Sequence, residues 1–150
     1  MTTPNYSLYA IPIYIFIAAF PHAYSVSLVK RHNNNFWDNA NPRSSSFDSA
    51  LQKSLPAAIY ARHTRAEAAH KNGMENIPIF AAAILAGNMA KLDAGILNTV
   101  SLLYLISRVV YNVLYINVEC QKGSYARSAT WAVGLLSCIY LMIKSANAMV

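Results

Sequence analysis

Charge is scarce in this chain: Asp, Glu, Lys and Arg make up 12% of 150 residues, and only six of them are acidic. A soluble domain of this length carries about a quarter charged residues, so water is not the main solvent here. Cysteine is almost missing, with Cys120 and Cys138 alone. Their spacing suits neither a metal nor a redox site. Cys138 falls in an apolar run and Cys120 near a reducing cytoplasmic surface, so no disulfide is expected. The five glycines form no phosphate-binding loop, and no Ser-His-Asp set or paired carboxylates stand out. His63 and His70 lie seven apart on a helix but lack a third ligand, so no metal is expected. No Lys or Arg precedes Lys30, which leaves the first apolar run without the basic region of a cleavable signal. It reads as a retained anchor.

What is present is apolar: 55% of the residues are hydrophobic and the mean hydropathy is +0.28. Apolar runs occupy Leu8–Ala23, Ile77–Gly87, Ala94–Ile106 and Ala129–Ile143. Each reaches about 20 residues, enough to span a membrane, once its Ala-, Tyr- and Ser-rich flanks are included. The pattern predicts one all-α domain over residues 1–150, an integral membrane four-helix bundle surrounded by lipid.

The net charge of +6 is distributed as membrane topology rather than as a nucleic-acid footprint. Lys30, Arg31, Arg43, Lys53, Arg62, Arg65 and Lys71 fall between the first two spans, and Lys122 and Arg127 between the last two. Loops rich in Lys and Arg stay cytoplasmic, which puts both termini and the Lys91-Leu-Asp93 turn on the opposite side.

The first span covers Tyr6–Val29, with kinks at Pro12 and at Pro21-His22. Lys30–Ser54 reads as the only real loop. A second helix starts after Pro56, meets no breaker before Gly73 and Pro78, and ends near Gly87-Asn88. Asp93 caps a third helix that continues towards Val118. Gln121–Ser124 is the last turn before the fourth helix. There is no internal repeat.

Two segments carry candidate chemistry. Arg65, Ala68, Asn72, Glu75 and Ile79 share one helix face at spacings of three and four, and Lys71 can pair with Glu75. A cation, an amide and a carboxylate on one face suit a zwitterionic or peptide-like ligand; a simply hydrated face is the plainer account. Tyr104, Arg108, Tyr111 and Tyr115 form a second stripe. An interfacial aromatic belt explains Tyr115 but leaves Arg108, inside Leu102–Val110, in need of a partner. Glu75 is the expected one. In the fourth helix Arg127 is either a snorkelling anchor or a cation that stabilises a thiolate, with Ser128 beside it. His22 is either a packing histidine or a proton donor.

The run Ala69-His70-Lys71-Asn72-Gly73-Met74-Glu75-Asn76, with Pro78 and Phe80, resembles the second-helix signature of the MAPEG family, membrane-associated proteins of eicosanoid and glutathione metabolism. Arg108-Val-Val-Tyr111 with Tyr115 is similar to the family's third-helix motif, and Arg127-Ser128 with Thr130-Trp131 resembles the start of its fourth helix. The resemblance covers nearly the whole chain. It implies a homotrimer in an endoplasmic-reticulum-type membrane that binds glutathione between neighbouring subunits and acts on a lipophilic small molecule. By position, Arg65, Lys71, Asn72, Glu75, Arg108, Tyr111 and Tyr115 would bind glutathione, while Arg127 and Ser128 would activate its thiol. The chain departs from the pattern at Ala68, where arginine is usual, and at Lys71, where lysine lacks a bidentate grip. The interval from Tyr115 to Arg127 is also longer, and the first-helix arginine has no clear counterpart beyond Lys30. Three functions follow: glutathione-dependent conjugation or reduction of an electrophile, isomerisation or cyclisation without glutathione, and non-catalytic lipid binding.

Overall fold

A computed structural model describes residues 3–150, which form five α-helices and, among the described residues, no strand. A 3₁₀ turn at Ser7–Tyr9 leads into α1 (Ala10–His32). Next come α2 (Ser45–Ser54), α3 (Ala57–Met89), α4 (Ala94–Asn117) and α5 (Gln121–Met149). The four long helices alternate in direction. α3 and α4 touch each other, and each also packs on α1 and on α5, whereas among the described residues α1 and α5 do not meet.

Pro56 opens α3 and Asp93 caps α4 by accepting the Ile96 N–H at 3.1 Å, as their positions in the sequence predict. Three expectations need correction. Lys30–Ser54 is not all loop: Ser44 accepts the Phe47 N–H at 3.2 Å and starts α2. Phe47, Leu51 and Leu55, four apart, bury themselves against Val29. Gln121–Ser124 is the first turn of α5 rather than a connection. Finally, three segments rather than four are long and apolar enough to cross a membrane: Ser7–His32, Ala94–Asn117 and Gln121–Met149. α3 is one unbroken helix of 33 residues, but its apolar part begins only at Ile77. From there to Met89 it rises about 20 Å, short of a hydrocarbon core of about 30 Å.

Tyr14, Ala18, Phe80, Ile84, Tyr104 and Leu141 belong to one apolar core shared by α1, α3, α4 and α5. Where α1 meets α3, Gly73 allows the approach, since a Cβ there would lie 3.0 Å from Ala18 Cβ. Pro21 gives no N–H to the Ile17 carbonyl, and Asn112 of α4 donates to it instead at 2.9 Å. His70 of α3 donates through Nδ1 to the next carbonyl, Ala18 O, at 2.8 Å. Such substitution of side chains for lost backbone partners is what lets proline sit inside a membrane helix. At the end where α3 turns into α4, asparagines close the structure. Asn5 donates to Asn88 at 2.8 Å, and Asn98 accepts the Tyr6 N–H at 2.8 Å. The opposite end, which carries α2 and the α4–α5 connection, holds the cavities.

Candidate functional site

The tyrosine stripe of α4 becomes a column of aromatic rings interleaved with two arginines. At its base Tyr104 stacks on Phe80 with centroids 3.9 Å apart. The Arg108 guanidinium lies 5.1 Å from the Tyr104 ring and 5.5 Å from that of Tyr111. Tyr111 meets Tyr115 edge-on at 5.4 Å, and Arg127 of α5 covers Tyr115 at 4.2 Å. Offsets of four, three and four residues on one helix produce this order, and a desolvated cation on a ring is worth about 2 kcal/mol.

The two arginines differ in surroundings. Arg108 is 2% exposed. Its Nη2 donates to Trp131 O at 2.9 Å, while Nε and Nη1 have no hydrogen-bond partner among the described residues. Gly134 of α5 provides the space, because a Cβ there would fall 2.7 Å from Nε. The expected pair with Glu75 is not made. Among the described residues the ion pairs are His22–Glu67 and Arg65–Glu119, and Glu75 is exposed. Arg127 instead borders an open cavity of about 340 Å³ between α3 and the α4–α5 connection, which Arg65 also lines. Arg65 donates from Nη2 to Glu119 at 2.7 Å and from Nε to Ile116 O at 3.0 Å. Ser128 is exposed and donates back to Ser124 O at 3.3 Å.

A larger cavity of about 1010 Å³ opens between α1, the α1–α2 connection and α3, and Lys71 and Glu75 line it. Arg65 and Glu75 share a helix face but sit at its two edges, about 80° apart at 100° per residue, so they face different cavities. Asn72 is half-buried; its main-chain carbonyl accepts from Asn76 at 2.8 Å.

The same cavity brings together residues that the sequence reading underrated. His22 Nδ1 donates to Glu67 at 2.9 Å, and the His22 and His70 rings lie 5.1 Å apart. His63 shares a 2.6 Å hydrogen bond with Ser25. Burial, against the opposing charge of Glu67, lowers the His63 pKa from its ordinary value. The spacing His63–Glu67–His70 marks one helix stripe that the sequence displays; the contribution of His22 from α1 has no local signal. No group of three His, Cys, Asp or Glu suited to a metal exists among the described residues.

The sequence matches the model of the MAPEG family over residues 8–147. This chain belongs to the MAPEG family. No curated protein and no solved structure gives a significant match. Family membership and three apolar spans make this a multi-pass membrane protein. MAPEG proteins are tied to glutathione and eicosanoid metabolism and include glutathione transferases and synthases. In this MAPEG chain the second-helix motif lies within unbroken α3; its His70, Lys71 and Glu75 line the larger cavity, while Arg65, one turn before the motif, lines the smaller one.

Proposed function

We propose that this MAPEG protein is a glutathione-dependent enzyme of an endoplasmic-reticulum-type membrane, conjugating or reducing a lipophilic electrophile. It works as a homotrimer. The observation that carries the reading is the cavity where Arg65 and Arg127 converge with Glu119 as the one carboxylate in its lining. Glutathione brings two carboxylates, an ammonium and a thiol. Arg65 takes a carboxylate, and Arg127, braced on Tyr115, favours the thiolate by its charge. Each unit by which it lowers the thiol pKa corresponds to about 1.4 kcal/mol. Tyr115 lies under Arg127, and Tyr111 and Arg108 continue the column behind it, so these three back the site rather than line its cavity.

Glu75, suited to the ammonium, and Lys71 and Asn72, suited to backbone and carboxylate groups, lie away from that cavity in the same chain. A complete set of contacts therefore calls for a neighbouring copy to present its α3 edge to the Arg65–Arg127 cavity. This is the physical argument for glutathione between subunits of a homo-oligomer; the number three comes from the family resemblance. The electrophile partitions from the bilayer and meets the thiolate there. Ser128 then acts as a hydrogen-bond donor only if its rotamer leaves Ser124 O.

A second reading rests on the His22–Glu67 pair. A carboxylate that orients an imidazole beside a large cavity suits proton transfer, as an isomerase or cyclase needs without glutathione.

The test is ultraviolet difference absorbance of the thiolate on purified protein titrated with glutathione. Wild type should bind and show thiolate. Arg127→Ala should bind with the thiolate signal lost, and Glu75→Ala should bind about tenfold more weakly, as expected for a lost charge-assisted contact. No binding by wild type rejects the glutathione reading, and turnover of an aryl halide separates an enzyme from a binder.

A further inference from the structure

Away from both cavities, α1 and α4 form the walls of an apolar groove of about 610 Å³. Phe16 and Phe20 of α1 stand 77% and 59% exposed in it, facing Val109 and Val113 of α4. Its lining is otherwise apolar or aromatic, and each of its two asparagines has an amide N–H turned back to a main-chain carbonyl. The Asn112 amide is committed to Ile17 O at 2.9 Å and that of Asn117 to Val113 O at 2.8 Å. The groove is made for hydrocarbon.

The α1 wall does not stop at the groove. Phe16, Phe20, Tyr24, Ser27 and Arg31 follow one another at spacings of four, four, three and four, one continuous stripe. Its upper part forms a separate open cleft where Ser27, Lys30, Arg31 and Asn35 gather, and no carboxylate lines it. Neither cation has an ion-pair partner among the described residues. Along the α1 axis Phe16 to Tyr24 rises about 12 Å, close to one leaflet of a hydrocarbon core of about 30 Å. Arg31 stands about 10 Å further along, at headgroup depth.

We propose that this stripe is a binding site for one anionic glycerophospholipid of the leaflet on the side of the α1–α2 connection. One acyl chain lies between Phe16, Phe20 and Val113, and the net negative charge of the headgroup rests on Lys30 and Arg31 with Ser27 and Asn35 as hydrogen-bond donors. Apolar groove and basic cleft occur in the order and at the separation that such a molecule has. The cationic loops face the leaflet that holds the cell's acidic lipids.

The experiment is native mass spectrometry of the delipidated full-length protein with phosphatidylserine or phosphatidylcholine of the same acyl chains. Wild type should retain phosphatidylserine over phosphatidylcholine by on the order of 20-fold, since each basic residue near a headgroup contributes about fivefold. The double variant Lys30→Gln/Arg31→Gln should retain the two lipids equally. Val113→Trp, which fills the groove at a surface position, should weaken both lipids alike. Equal retention by wild type, or a preference that survives the double variant, overturns the proposal. So does Val113→Trp without effect, or a Val113→Cys variant that cross-links two copies through the groove in place of lipid.

Discussion

The two seams that flank α3 are held in different ways. Towards α1, hydrogen bonds cross the seam and most groups have partners: Tyr14 donates to Gly73 O at 2.9 Å, His70 to Ala18 O, His22 to Glu67, and Ser25 pairs with His63. Towards α4, Phe80 stacks on Tyr104 and Arg65 donates to Ile116 O. Behind that seam, between α4 and α5, Arg108 lies against tyrosine rings with one hydrogen bond and, among the described residues, two nitrogens without acceptors. A seam whose groups are mostly paired is built to hold. A seam that keeps buried donors unused sacrifices stability, and such donors are where a ligand or partner gains most. The difference separates scaffold from site within one small membrane protein.

The strongest way to break this comparison is Gly134→Val. The new side chain would occupy the space of the Arg108 guanidinium, whose Cζ would lie 2.8 Å from the added Cβ. We expect a loss of at least about 3 kcal/mol, read as thermal unfolding in detergent, against about 1 kcal/mol for Gly73→Ala in the other seam. Equal losses would mean that the α4–α5 seam is no more constrained than the α1–α3 seam.

Arg108→Met sharpens the contrast in the opposite sense. Removal of a buried charge without a counter-ion should leave the melting temperature unchanged or add about 1–2 kcal/mol of stability. Glutathione affinity should fall at least about tenfold. A strongly destabilised Arg108→Met would make the arginine a structural post. Arg127→Ala, on the rim of the same column, should cost at most about 1 kcal/mol while abolishing the thiolate signal.

The smallest effect belongs to the α1–α3 seam and to pH. The His63 pKa is lowered by burial in the folded protein, so the unfolded chain takes up the proton first as pH falls below about 6.5. Stability from this residue is intact above that pH and declines below it. Melting curves between pH 7.5 and 5.5 should show a decline that His63→Gln reduces.

Much of the scaffold was legible in the sequence, because helices announce themselves locally. Pro56 and Asp93 mark starts, and the apolar runs mark three of the long helices. α2 was missed because the Asn- and Ser-rich composition around it hid the Phe47–Leu51–Leu55 stripe. The site was legible only as two helix faces. Periodicity assigns Glu75 and Arg108 each to a face but cannot say how one helix is rotated against another, so their pairing failed. The His22–Glu67 contact joins residues 45 apart and depends on where α1 crosses α3, information that no window of sequence contains.

The proline in α1 has a consequence for how the chain is made. The Ile17 carbonyl receives its donor from Asn112, which is separated from it by 95 residues of sequence. During synthesis α1 enters the membrane long before α4 exists, with a bare acceptor in hydrocarbon. That acceptor is satisfied by protein only after α2, α3 and most of α4 have been translated. The amide of Asn112 thus works as a latch that closes late, giving the first helix its final partner near the end of assembly.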